Sequence, residues 1–216
     1  VHPGALVLVT GPTDPTDWWA GAATELSEAG LPVHTPRDHS RAPLFGVSWI
    51  ASVAQQLNTS ELDGPLVIAG HGTAGPLLPA LARAQRAGGR QVAGYVFVDA
   101  TLPRPGTASH LELLRAAAPH AADEAHERLH DGERIWPVPA EPPGTRPRDH
   151  QFWTETLPPA IDWPDAPCTY VSTGHPAPGC GDITFWARSA RARGWPVVDD
   201  ADIPAAVHRA LRHLPA

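Results

Sequence analysis

Three side chains of this sequence are placed to do chemistry at the ends of apolar runs: His71, Asp99 and His175. His71 lies in Leu66–Gly75 (LVIAGHGTAG), an apolar run that breaks into a glycine-rich turn. Asp99 ends the run Val92–Asp99, and His175 follows Cys168–Thr173. An imidazole titrates near neutrality, so either histidine is a candidate general acid or base, and a carboxylate at Asp99 is a candidate orienter. Each also has a plain structural alternative. His71 can pack and hydrogen bond within its turn, Asp99 can cap the turn that follows it, and His175 is one of 12 histidines. The centre of the turn is Gly72, which has no side chain with which to attack anything.

Other polar clusters carry less. Asp14 and Asp17 precede a helical segment and are expected to cap it. Asp199, Asp200 and Asp202 are expected to be solvated or helix-capping rather than metal ligands. The sequence contains no C-x-x-C or H-E-x-x-H spacing, so neither a metal nor a cofactor is expected. Cys168 and Cys180 are the only cysteines. They are expected to be free thiols in a reducing compartment, and a cytoplasmic location is expected with them.

The elements that would position these residues alternate. Ala5–Thr10, Leu31–Thr35, Leu66–Ala69, Val92–Asp99, Cys168–Thr173 and Pro196–Val198 read as strands. The continuous apolar character of the first suggests burial on both faces, as in a parallel sheet. Helices are expected over Trp18–Glu28 (with Asp17 as N-cap), Val47–Leu57, Gly75–Ala87, Phe185–Arg193 and Ile203–Leu214. The rhythm breaks over 103–167, a stretch rich in Pro, His and acids with helical pieces at His110–Ala117 and Ala121–His130. Alternating strands and helices predict an α/β fold with a doubly wound, mostly parallel sheet. The inserted stretch would then sit over the strand C-termini, where such sheets place ligands.

Composition narrows the function classes. At 216 residues, 42% hydrophobic and 18% charged, the chain suits one globular domain. A formal net charge of -7 argues against a nucleic-acid partner. No apolar run is long enough to cross a bilayer, and the start Val1-His2-Pro3 lacks the pattern of a signal peptide. The missing initiator Met implies trimmed ends. All 16 basic residues are Arg, which with 26 Pro suggests a GC-rich coding bias.

The whole chain resembles the α/β-hydrolase family in a compact form. The resemblance is carried by Leu66–Gly75, by Pro76-Leu77-Leu78-Pro79, by Val96–Pro103 (VFVDATLP) and by Gly194-Trp195-Pro196-Val197. It implies that Gly70-His71-Gly72-Thr73-Ala74 is a nucleophile elbow of the G-x-S-x-G kind with Gly72 in place of the nucleophile. It implies that 103–167 is a cap inserted into a single domain spanning 1–216. The family's histidine base would fall after the last strand, where Asp199-Asp200-Ala201-Asp202-Ile203 holds none, and His208 and His213 come too late. Asp99 stands at one of the family's two acid positions. The oxyanion hole would use the Thr73 N–H and the loop Gly11-Pro12-Thr13, where Pro12 has no N–H to donate. Natural loss of serine chemistry is therefore favoured over an engineered knockout.

Aromatic residues are unevenly distributed, with 8 Trp against 4 Phe and 2 Tyr. Trp18 and Trp19 follow the oxyanion loop and are candidate pocket walls. Trp136, Trp153 and Trp163 fall in the insertion, as pocket lining or as packing anchors.

Three functional readings follow. The first is a non-hydrolytic enzyme of the epimerase, lyase or cyclase type, acting on a small molecule or specialised metabolite. Asp99, His175 or His71 would move the proton, with the ligand held by Gly11, Pro12, Thr13, Trp18, Trp19, Gly72 and Thr73. The second is a pseudo-hydrolase that binds a small apolar or aromatic ligand, or a partner, without turnover. The third is an acyl hydrolase or acyltransferase represented by an inactive or incomplete chain. The oligomeric state is left open.

Overall fold

The computed structural model describes residues 4–38, 43–135 and 147–214. Trp136 lies outside them. Among the described residues six strands form one sheet in the order β2-β1-β3-β4-β5-β6. They are β1 (Ala5–Val9), β2 (Val33–His34), β3 (Leu66–His71), β4 (Val92–Val98), β5 (Cys168–Ser172) and β6 (Val197–Asp199). Every neighbouring pair is parallel.

The helices are α1 (Ala20–Glu28), α2 (Phe45–Thr59), α3 (Leu78–Ala87), α4 (His110–Ala117), α5 (Pro119–His130), α6 (His150–Thr154), α7 (Ile183–Ala192) and α8 (Ile203–Leu211). Because strand side chains alternate, each strand feeds two cores. Leu6 and Leu8 of β1, Val67 of β3 and Val96 of β4 pack against α1 and α8 on one face. Val7 and Val9, Ile68, and Tyr95 and Phe97 of the same strands pack against α2, α3 and α7 on the other. This double burial is why the strands read as unbroken apolar runs rather than alternating ones.

Boundaries moved where local chemistry intervened. The first helix begins at Ala20 rather than Trp18, and Asp17 does not cap it through its side chain. Instead the Asp17 carbonyl accepts the Ala20 N–H at 2.8 Å. The expected Gly75–Ala87 helix starts at Leu78, after a 3-10 turn over Gly72–Leu77 that carries Pro76. Sequence reading also missed α6, whose five residues are too few to show helical periodicity.

The stretch between β4 and β5 contributes α4, α5 and α6, which share a third core with Phe45. Ser109 and Glu112 open α4 with a capping box. His110 is 2% exposed and stacks on Phe152 at 4.7 Å. Burial, and then the nearby positive charge of Arg148, push its imidazole down to about 3. An unfolded chain takes up this proton near 6.5, whereas the folded one excludes it until about 3. Stability contributed by the neutral ring is therefore present above 6.5 and lost as pH falls, by at most about 1.4 kcal/mol per unit. Urea unfolding at about pH 7 and about pH 5 is expected to show about 1–2 kcal/mol more acid loss in the natural chain than in His110→Phe. Equal losses would contradict it.

Candidate functional site

In this sheet order the connection from β1 runs to one side and the rest of the chain continues on the other side through β3. The crevice at the C-terminal ends of β1 and β3 is thus the topological switch point, where α/β sheets hold ligands. Three segments meet there: the loop after β1, the glycine turn after β3 and the loop after β5.

The turn holds Gly72 at φ +60, a left-handed conformation that glycine adopts without steric cost. The space beside it, where Gly72 is expected to help hold a ligand, is filled. A Cβ at position 72 would stand 2.2 Å from the Ala177 Cβ and 2.9 and 3.0 Å from the two Asp14 carboxylate oxygens. The place a nucleophile would take is occupied by a carboxylate from the loop after β1 and a methyl from the loop after β5.

Asp14 was expected to cap a helix. It is instead completely buried, and its Oδ2 accepts the Gly11 N–H at 2.6 Å and lies 3.0 Å from His71 Nδ1. His71 Nε2 lies 3.1 Å from the carbonyl oxygen of His175, which can only accept, so Nε2 carries a proton. Trp18, half-buried, stacks flat on the imidazole with ring centroids 3.5 Å apart. His71 is 1% exposed, with both ring nitrogens engaged.

The expected oxyanion loop closes on the same turn. Thr13 Oγ1 donates to the Pro178 carbonyl at 3.0 Å, so the Thr73 hydroxyl donates in turn to Thr13 Oγ1, also at 3.0 Å. Gly11 approaches so closely that a Cβ there would be 2.8 Å from both the Thr73 and Ala74 nitrogens. The Pro12 carbonyl accepts Arg148 Nη2 at 2.6 Å and Nε at 3.2 Å. Arg148 is buried, lies 4.0 Å from Asp38 and sits over the Phe45 and Phe152 rings. Sequence reading took Asp14 only as a helix cap and singled out none of Thr173, Ala177 and Arg148, because their roles depend on contacts across the crevice.

Asp99 and His175 are brought together. Asp99 has φ +42 and is completely buried. It accepts the Thr173 N–H at 2.9 Å, the His175 N–H at 3.0 Å and the Thr173 hydroxyl. With its proton directed at Asp99, Thr173 Oγ1 accepts from His175 Nδ1 at 3.2 Å. The His175 side chain is exposed, and this chain of hydrogen bonds leaves the lone pair on Nε2.

Of the acids at and after the end of β6, one caps a helix and two form ion pairs. Asp202 caps α8 by accepting the Ala205 N–H at 3.0 Å, and Asp199 and Asp200 pair with Arg191 and Arg209. Both cysteines are buried free thiols, and burial pushes both thiols up. Among the described residues no cluster of three or more His, Cys, Asp or Glu is arranged to hold a metal. Among them, too, no helix is long and apolar enough to cross a membrane.

No protein-family model matches the chain, and no curated protein sequence matches it. Solved structures do. An extracellular α/β-hydrolase from a Paenibacillus species, described as sharing structural and functional homology with tobacco salicylic acid binding protein 2, superposes with a TM-score of 0.68 at 15% identity, covering 97% of this chain and 96% of that one. A pyrethroid hydrolase from Sphingobium faniae gives 0.63 at 16% identity, covering 96% and 95%. Polyneuridine aldehyde esterase gives 0.59 at 12% identity, covering 98% of each chain. With its parallel six-stranded sheet, its helices on both faces and these structural neighbours, the chain has the α/β-hydrolase fold.

Proposed function

We propose that this chain is a non-hydrolytic member of its fold class that moves a proton on a small molecule, as an epimerase, lyase or cyclase does, with His175 as the acid or base. The observation that carries the reading is the chain of hydrogen bonds from His175 Nδ1 through Thr173 Oγ1 to Asp99 Oδ2. It fixes the imidazole tautomer and presents a basic nitrogen from an exposed ring, as a base oriented by a third group requires. Thr173 and Asp99 act as positioning residues. The filled space at Gly72 supports the other half of the proposal, that no covalent acyl intermediate forms. Trp18 provides an aromatic surface suited to an apolar or planar ligand. A role in making a specialised metabolite fits this design.

The second reading, binding without turnover, places the ligand elsewhere than the turn expected to hold it. Gly11–Asp14 and Gly72–Thr73 are all buried, and the hydroxyls of Thr13 and Thr73 are engaged with each other and with Pro178.

Hydrogen exchange separates the readings. In D2O, with a panel of β-keto esters and aryl ketones, the natural chain is expected to wash deuterium into at least one substrate about 10²-fold faster than His175→Gln does. The same chain should leave p-nitrophenyl esters and acyl thioesters at the buffer rate. Ester turnover would overturn the non-hydrolytic reading. Saturable binding with no exchange difference between the two proteins would select the second.

A further inference from the structure

We propose that α6 is a strap that holds the loop after β1 closed over the glycine turn, fastened to the core by Arg148 before it and Glu155 after it. This device does not depend on the role given to His175. At the Glu155 end, α2 begins with no cap of its own. Its N-cap residue is Leu44, whose side chain accepts no hydrogen bond and whose φ of 60 is a left-handed conformation that leucine rarely adopts. The Phe45 N–H donates instead to Glu155 Oε2 at 2.8 Å, and the Gly46 N–H to Oε1 at 2.6 Å. Glu155 lies 109 positions beyond Gly46, and its carboxylate suits the positive end of the helix dipole. At the other end, Arg148 donates two N–H groups to the Pro12 carbonyl.

Phe45 joins the two fasteners. Glu155 holds its N–H, its ring lies under the Arg148 guanidinium at 5.5 Å, and it meets Phe152 of α6 edge-on at 5.8 Å. Fraying of the first turn of α2 therefore takes away the surface on which Arg148 rests while it holds Pro12. The strap is also tied to the inserted stretch. Ile135 and Arg148 exchange two backbone hydrogen bonds of 2.9 Å, Phe152 stacks on His110, and the Leu157 N–H donates to the Ala108 carbonyl at 2.8 Å. Release thus separates the strap from the core and leaves the inserted stretch intact. Behind it lie Gly11, Pro12, Thr13, Gly72 and Thr73, all buried, which are the residues expected to hold a ligand at the turn. Opening the strap is the route by which a ligand reaches them.

The test is amide hydrogen exchange, read by NMR on the intact chain, which follows the population of locally open states. In Glu155→Ala, exchange is expected to accelerate about 10–10²-fold at Phe45 and Gly46, which lose a charged acceptor, and about tenfold at Gly11 and Asp14, whose N–H groups bond within the loop. Ile68, in the middle of β3, should keep its rate. Arg148→Gln should accelerate the same four amides, because coupling between two contacts is reciprocal. Acceleration confined to Phe45 and Gly46 would make Glu155 a helix cap only and overturn the strap. Equal acceleration at Ile68 would show a loss of overall stability and overturn it too. If Glu155→Ala does not fold, Glu155→Gln, which keeps one acceptor oxygen, is read in the same way and is expected to give a smaller acceleration at the same four amides.

Discussion

Replacing Asp14 by Ala is expected to destabilise the folded chain by about 3–5 kcal/mol, because it leaves a buried partner uncompensated. Asp14 is fully buried and His71 is 1% exposed, so water does not reach either group to offset the loss. The change removes the acceptor of the Gly11 N–H and the partner of His71 Nδ1, while Nε2 stays tied to the His175 carbonyl. It also empties the space against Gly72. Urea unfolding of the single variants and of Asp14→Ala/His71→Phe measures the coupling. The double variant should lose about 1–3 kcal/mol less than the sum of the singles, as contacting residues do. Additive losses, or a loss below about 1 kcal/mol for Asp14→Ala, would show that the pair contributes little.

The second large effect concerns the turn. Gly72→Ser introduces the residue type that serine hydrolysis needs, yet it is expected to cost about 2–4 kcal/mol and to produce no efficient esterase. A side chain at φ +60 costs about 1–2 kcal/mol. Its Cβ would stand 2.2 Å from the Ala177 Cβ, and overpacking of that kind costs about 1–3 kcal/mol. The serine would then need a base. The adjacent residue His71 has both nitrogens engaged, by Asp14 and by the His175 carbonyl. Pairing the change with Ala177→Gly should recover the clash but not the backbone strain, roughly half of the stability lost. A burst of p-nitrophenolate from the single variant would sink this account.

Both predictions arise from contacts between segments 57 or more positions apart, such as Asp14 with His71 and His71 with His175. That separation is why the fold was legible in the sequence and much of the site was not. Strands buried on both faces are largely apolar, so the continuous run Ala5–Thr10, with the alternation of strands and helices after it, was enough to predict a parallel sheet. The glycine turn after β3 was legible because backbone geometry demands glycine where φ is positive. The absence of a nucleophile there followed directly from residue identity.

Asp14 illustrates the limit. An acid before a helix is locally a capping residue, and nothing within a few positions of it reveals a histidine reaching it from β3. Thr173 is similar. It lies two residues before His175, but its role as the link to Asp99 exists only because β4 and β5 are neighbours in the sheet. The sequence by itself determined the fold class, the order of most elements and the lack of a side chain at Gly72, because these depend on residue identity, local backbone preference and side-chain periodicity. Only the tertiary structure decided what fills the space beside Gly72, which histidine is locked and which is presented, since hydrogen bonds and packing across the crevice depend on distances that sequence separation does not encode.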